Sequence, residues 1–388
     1  MAEPLKNHFG PEIPRRIAGM ISAVFPRFDT NAFLAEVLNG YEALDLTPRG
    51  RQIAKALRRH LPDDYAGAAE ILIASLGPKL DRTDALGMAP FLYLPHVFFV
   101  AEYGLDHFEI SMQAQYELTQ RFTAEFSIRP FLVRYPEQTL DHLERWTKDP
   151  SPHVRRLVSE GTRPRLPWAP RLRAFQKEPR PVLTLLERLK DDPELYVRRS
   201  VANNLNDIGK DHPDLLVETA RRWMTDATEE RRRLIRHALR SAIKRGEPGA
   251  LGVLGFGKKV NVAIRNAIIT PKRPRTGGSV TIGFEVVNKG SRRQRVLVDF
   301  RVHFVKANGK TGPKAFKLKT IELAPKEIIP LRKTISLTEM TTRKHYPGTH
   351  RVEVVLNGTA DPLGSFELVE MNHAACTDAA VERSKRDS

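Results

Sequence analysis

A chain of 388 residues has room for two or three compact units, and its 63 Lys plus Arg against 46 Asp plus Glu give a formal net charge of +17. The single Cys376 excludes an intramolecular disulfide or a cysteine-built zinc site, and the 12 histidines form no spaced cluster, so neither metal nor cofactor is expected. The N-terminus lacks an apolar signal core and the greasiest run, 89–101, is interrupted by Pro90, Pro95 and His96; a monomer in a reducing cytoplasm, without membrane association, is the expectation.

From about residue 12 to 256 apolar residues recur at helical spacing, as in Ile53, Ala54, Leu57 and Leu61 or Leu183, Leu186 and Leu189. Prolines at 26, 48, 62, 95, 136, 150, 193 and 213 punctuate these stretches, the pattern of helical hairpins joined by short turns. One amphipathic run, Phe122 to Phe126, encloses Glu125 between two phenylalanines. Further on, Asp149-Pro-Ser-Pro-His-Val-Arg-Arg-Leu157 is repeated as Asp192-Pro-Glu-Leu-Tyr-Val-Arg-Arg-Ser200 and, more weakly, as Asp226-Ala-Thr-Glu-Glu-Arg-Arg-Arg-Leu234. An aspartate N-cap followed by a helix with Val-Arg-Arg on its second turn, at a period near ~40 residues, predicts HEAT-type helix pairs stacked into a curved solenoid. Arginine at the same offset in each copy would then line a concave face shaped for a duplex backbone.

The first copy runs into an unusual segment. Between Arg155 and Arg173 stand six arginines, at 155, 156, 163, 165, 171 and 173, and one acid, Glu160. Such a stretch holds anions while keeping one negative group inside.

After Gly257 the period changes to two. Strands are predicted at 260–264, 280–286, 296–304, 315–318, 328–337 and 350–356, with 366–369 as a possible seventh, separated by Gly, Pro and Asn turns. This is the pattern of an immunoglobulin-like sandwich without the antibody cysteine pair. The fold class expected is therefore multidomain and mainly α: a HEAT-like helical solenoid over 1–257, an all-β immunoglobulin-like sandwich over 258–371 and a disordered tail over 372–388. Residues 258–351 hold 22 basic and 5 acidic residues, a local +17, whereas residues 1–257 hold 38 and 34 and residues 352–388 hold 3 and 7. A charge excess concentrated in one region points to a polyanion, and nucleic acid fits better than membrane because no amphipathic helix with exposed aromatics accompanies it. A basic surface serving only solubility is the alternative.

The stretch from Val154 to Trp168, carried on HEAT-type helices and followed by a basic sandwich, resembles the DNA alkylation repair glycosylases of the AlkC type over nearly the whole chain. Asn206-Asp207-Ile-Gly-Lys210-Asp-His-Pro213-Asp214 is similar to the wider AlkC/AlkD superfamily. The resemblance implies a monofunctional glycosylase that releases cationic N3-alkylated bases, such as 3-methyladenine and 3-methylcytosine, from double-stranded DNA. It also implies a bent duplex with the lesion left largely stacked, in contrast to base-flipping enzymes, and a sandwich that acts as a second DNA clamp.

A base alkylated at N3 already carries positive charge and leaves without a general acid. The reaction instead needs an anion beside the oxocarbenium-like sugar, which also orients water. Glu160 fits that role; the alternative is an ordinary ion pair with Arg156, four residues earlier, or Arg163, three later. Glu125 and Asp207 are the next carboxylates, with a solvated helix end and a turn cap as their plainer roles, and the resemblance implies that all three gather at the DNA-facing cleft. Arg156, Arg163, Arg165 and Lys210 are the expected DNA contacts in the helical part, and Trp168 is either a contact for deoxyribose or a core residue. Trp146 and Trp223 read as core. In the sandwich, Lys272, Arg273 and Arg275 mark one basic turn and Arg292 and Arg293 another, suited to a phosphate track or groove. A non-catalytic scaffold for bent or damaged DNA, and a protein-interaction adaptor, are the competing classes.

Overall fold

The computed structural model describes residues 4–84, 87–257, 260–339 and 344–370. The tail expected to be disordered, with Cys376, lies outside the described residues. By packing the chain divides into two units, Met1–Arg240 and Ser241–Ser388.

In the first unit the helices Glu12–Val24, Thr30–Leu38, Leu46–His60, Tyr65–Ala74 and Leu94–Tyr103 share one core. Ile17, Phe33, Ile53, Leu57 and Phe99, spaced on the inner stripe of each helix, are completely buried there. The apolar run near residue 95 is the innermost of these helices, which explains its greasiness without a membrane. Among the described residues no helix is long and apolar enough to cross one.

The repeats follow as helix pairs: Pro136–Trp146 with Pro152–Gly161, Arg180–Leu189 with Leu195–Ile208, and Pro213–Met224 with Glu229–Ala238. The second helices of the three pairs stack on one another through Val154, Leu157, Val201, Leu205 and Ile235. The repeat aspartate corrects the N-cap expectation. Asp149, Asp192 and Asp226 each stand two residues before the cap, which is Ser151, Glu194 and Thr228 in turn. Asp149 accepts from Ser151 N at 2.8 Å and Asp192 from Glu194 N at 2.9 Å, so each carboxylate closes the turn that leads into the helix. The repeat arginines are likewise structural. Arg155 donates to the carbonyls of Asp149 and Pro150, and Arg198 makes the equivalent bonds to Asp192 and Pro193. Arg155 also grips Asp192 of the next repeat with two bonds, at 2.6 and 3.0 Å. Arg155 and Arg198 therefore fasten the turns of their own repeats, and Arg155 also joins its repeat to the next, so neither is free to line an open basic face.

The second unit is a two-sheet sandwich of β1 (Val262–Thr270), β2 (Ser279–Asn288), β3 (Gln294–Val305), β4 (Thr311–Leu323), β5 (Ile328–Ser336), β6 (Gly348–Leu356) and β7 (Thr359–Leu368). One sheet has the order β1-β2-β5 and the other β4-β3-β6-β7, antiparallel throughout. Alternate residues face inward, as Val280, Ile282, Phe284 and Val286 do on β2 and Val296, Val298, Phe300 and Val302 on β3. The short helix Pro248–Val253 belongs to this unit, held by Leu251, Phe256 and Leu297. Its approach is close: a Cβ on Gly246 would meet the Gly358 carbonyl oxygen at 2.7 Å, and both glycines have positive φ.

Candidate functional site

The helix Pro152–Gly161 carries Glu160 on its last turn, where Gly161 lets it approach the neighbouring helix Ile128–Arg134. A Cβ on Gly161 would lie 2.5 Å from Ile128 Cγ2. Asn204, fully buried, pins the same helix end by donating to Ser159 O at 2.7 Å and Thr162 Oγ1 at 3.0 Å.

The three carboxylates expected to gather do so, joined by arginines. Glu125 Oε2 accepts from Arg156 Nη1 at 2.6 Å and from the Thr123 hydroxyl at 2.9 Å. Arg156 lies 3.6 Å from Glu160 Oε1 through its other terminal nitrogen. Glu160 Oε1 accepts from Arg163 Nη1 at 2.6 Å, and Arg163 Nε and Nη2 both reach Asp207 Oδ2 at 2.8 Å. Asp207 Oδ1 accepts from Lys210 Nζ at 2.7 Å, and the lysine points toward solvent. Glu125, Arg156, Glu160, Arg163 and Asp207 thus form one row of alternating sign with a net charge of −1 before Lys210 is added.

Burial decides how this row behaves. The Glu160, Asp207 and Arg163 side chains are 7, 1 and 10% exposed, and Glu125 is the most open of the three carboxylates at 13%. The ion pair offered as a plain reading of Glu160 is therefore real but internal. Burial pushes the Glu160 carboxyl up, and the guanidinium groups of Arg156 and Arg163 with the Ser200 hydroxyl outweigh it, leaving the group below the ordinary carboxylate range and ionised. Arg156 is correspondingly raised by Glu125 and Glu160 against the opposing effect of its own burial, and its guanidinium lies 5.2 Å from the centre of the Tyr196 ring.

Among the residues expected to touch DNA, Arg156 and Arg163 are thus committed to carboxylates, and Arg165 is held bidentately by Asp211 at 2.9 and 2.5 Å. Glu125, Asp207 and Asp211 stand 31, 44 and 46 residues from these arginines, out of reach of local spacing, whereas Glu160 is three or four residues away. Trp168 is not a core residue: it is 73% exposed, in a left-handed conformation with φ 63°. Trp223 is core, with its indole N–H donated to Glu187, and Trp146 is half-buried against Tyr116 and His142. The sandwich residues are exposed but not in one place. Lys272, Arg273 and Arg275 lie in the turn from β1 to β2, and Arg292 and Arg293 in the turn from β2 to β3, at opposite ends of the sheet.

Two residues escaped the sequence reading. Ser200 donates to Glu160 Oε2 at 2.6 Å; its signal was a hydroxyl at the repeat position where the other copies have Leu157 and Leu234. Arg129, 4% exposed, donates to the carbonyls of Gly161, Arg163 and Pro170 and so anchors the loop that carries Arg163 and Trp168. Burial pulls its guanidinium down to about 10, which leaves it charged at neutral pH. Among the described residues no group of three or more His, Cys, Asp or Glu is arranged to hold a metal ion.

The arrangement has counterparts. Residues 121–245 match the family model described as DNA alkylation repair enzyme, and residues 263–370 match the C-terminal Ig-like domain of the uncharacterised protein YhaZ. YhaZ of Bacillus subtilis strain 168 is 35% identical over 94% of this chain and 99% of its own length. The solved structure of Pseudomonas fluorescens alkylpurine DNA glycosylase AlkC, bound to DNA containing an abasic site analog, superposes with a TM-score of 0.87 at 37% identity over 95% of this chain and 100% of that one. The chain belongs to the AlkC family of DNA alkylation repair enzymes. AlkC membership accounts for both architectures, the helical repeats and the Ig-like sandwich, in one polypeptide. It also places the carboxylate row inside the segment matched by the repair-enzyme model.

Proposed function

We propose that the protein is a monofunctional DNA glycosylase that hydrolyses the N-glycosidic bond of cationic alkylated bases in duplex DNA, with 3-methyladenine and 3-methylcytosine as its substrates. The observation that carries this reading is the buried row of alternating charge with Glu160 at its centre. Glu160 and Glu125, held ionised in this row, stabilise a cationic base and the cationic sugar that its departure leaves, a stabilisation that a neutral base does not share. The C1′–N bond breaks with its electron pair going to the base, which becomes neutral. Water adds its oxygen to C1′, and its proton passes through a carboxylate to solvent.

Roles divide by geometry. Glu160 faces the developing cation, and because Arg163 and Ser200 hold its two oxygens, little reorganisation accompanies the charge change. Glu125, the most open carboxylate, orients the water. Asp207 holds Arg163 in place. Lys210 and Trp168, both solvent-facing, meet the backbone and deoxyribose, and the basic turns of the sandwich hold the duplex. The similarity to an alkylpurine DNA glycosylase bound to DNA containing an abasic site analog supports release of alkylated bases from DNA.

Incubating the pure protein with methylated duplex DNA tests the reading directly. Free 3-methyladenine and intact strands bearing abasic sites are expected. Tight, salt-sensitive duplex binding with no base released would leave a DNA-binding scaffold instead.

A further inference from the structure

Beside the carboxylate row lies a concave feature that the proposed chemistry, apart from Trp168 at its lip, leaves unused. A slot of about 630 Å³ opens among the helices Leu46–His60, Leu94–Tyr103 and Ile128–Arg134 and the segment 168–172, a volume within the range of ligand pockets. Its floor is aromatic and apolar, from Phe91, Phe98, Leu105 and Phe126, and its lips are Val133 and Trp168, 72 and 73% exposed. Apolar side chains this exposed, one of them in a left-handed conformation that a bulky residue rarely adopts, are retained where a partner covers them or strain serves a site.

Charge selects the occupant. Arg51, Arg129, Arg134 and Arg171 line the slot against a single acid, Glu102, which is already paired with Arg51. Arg134 and Arg171 are exposed and have no carboxylate partner among the described residues. A positive slot repels a cationic alkylated base, whereas the neighbouring carboxylate row attracts one. It accepts a neutral aromatic ring attached to a phosphate. The two features share a frame, because Arg129 forms part of the slot wall and donates to the carbonyls of Gly161 and Arg163 beside Glu160.

We infer that the slot receives one undamaged nucleotide of the duplex, unstacked beside or opposite the alkylated base, with its base on the aromatic floor beneath Trp168 and its phosphates on Arg134 and Arg171. The inference rests on the glycosylase reading. It divides the labour by charge: the cationic lesion stays with the carboxylates, and a neutral neighbour fills the space that bending opens.

Photocrosslinking the full-length protein to duplexes that hold an abasic-site analogue tests it. 5-Iodouracil, which couples to an aromatic ring stacked on it, is placed in separate duplexes opposite the analogue and at each flanking position. The expected result is a crosslink from one of these positions to Trp168, Phe98 or Phe126, read by peptide mass spectrometry; which position reacts tells opposite from flanking. Ala101→Phe, which fills the slot from its wall, is expected to lower that crosslink about 10-fold while duplex affinity stays within about 3-fold. Val133→Glu, at a lip too exposed to disturb folding, repeats the loss by setting a carboxylate against the phosphates. Crosslinks absent from the slot residues, or unchanged in both variants, overturn the inference when the wild-type protein still releases 3-methyladenine. Failure of that release overturns the glycosylase reading instead, so the two failures are distinct.

Discussion

In residues 1–257, 38 basic residues stand against 34 acidic ones, and the pairs that matter are internal: Arg163 is buried between Glu160 and Asp207. In residues 258–351, 22 stand against 5, and Lys272, Arg292 and their neighbours are exposed in turns. The first arrangement is short-ranged, little screened by salt and stiff, because each charge is fixed by a partner. The second is a long-range field that falls with ionic strength. On the proposed function, basic residues in the helical unit organise the reaction centre, and those in the sandwich supply attraction.

The largest effect should come from breaking the internal arrangement. Arg163→Met leaves Glu160 and Asp207 buried without their shared cation and is expected to cost roughly 3–5 kcal/mol in urea unfolding; a loss below about 1 kcal/mol would put the row among ordinary surface pairs. A comparable burial effect separates by pH. His96 is 1% exposed with both ring nitrogens lacking a hydrogen-bond partner, and burial lowers it from 6.5 to about 4. The unfolded chain therefore binds this proton first, and stability falls as pH drops from about 6.5 to 4, by about 3 kcal/mol at most. His96→Leu should flatten that window. Glu160 acts in a lower one: its depressed carboxyl contributes stability that is complete above about 4.5 and is lost as pH falls through the folded-state value.

Glu160→Gln keeps the shape and removes the charge. Base release is expected to fall roughly 10²-fold, with duplex affinity similar or higher; unchanged release would take Glu160 out of the chemistry. The smallest effect belongs to the field. Replacing Lys272, Arg273 and Arg275 together by Ala should reduce the slope of log affinity against log salt by up to about 3, and the matching change at Arg292 and Arg293 by up to about 2. Because the two turns lie at opposite ends of β2, an equal response from both would mean that the duplex reaches both ends of the sandwich.

Much of this organisation was legible in the sequence because it rests on periodicity. All seven strands were visible, since their inward residues alternate. The full extents of β1, β4 and β7 were not: β1 runs six residues beyond the expected 264 across a register shift between Arg265 and Ile268, and Lys and Gly at the outer face of β4, with Pro362 and Gly364 within β7, blur a period of two. The three carboxylates were identified as candidates, Glu160 from its isolation among arginines and all three in their common cleft from family resemblance, but what holds them was hidden. Arg163 meets Asp207 across 44 residues and Arg156 meets Glu125 across 31, and no local rule sets such distances. The repeat arginines misled for the complementary reason: their spacing was correct, but Arg155 and Arg198 are bound to the backbone carbonyls of their own turns.

Asp192 closes the turn of its own repeat through Glu194 N and accepts both bonds of Arg155 from the repeat before. A single side chain thus belongs to two repeats at once. Opening either one exposes an aspartate and an arginine that the other had enclosed, so the amides of 151–157 and 194–200 should exchange with solvent in one step, as a shared cooperative block. In a solenoid, whose repeats otherwise touch only their neighbours, such a rivet sets the smallest piece that can melt, and here that piece is two repeats long and includes Glu160.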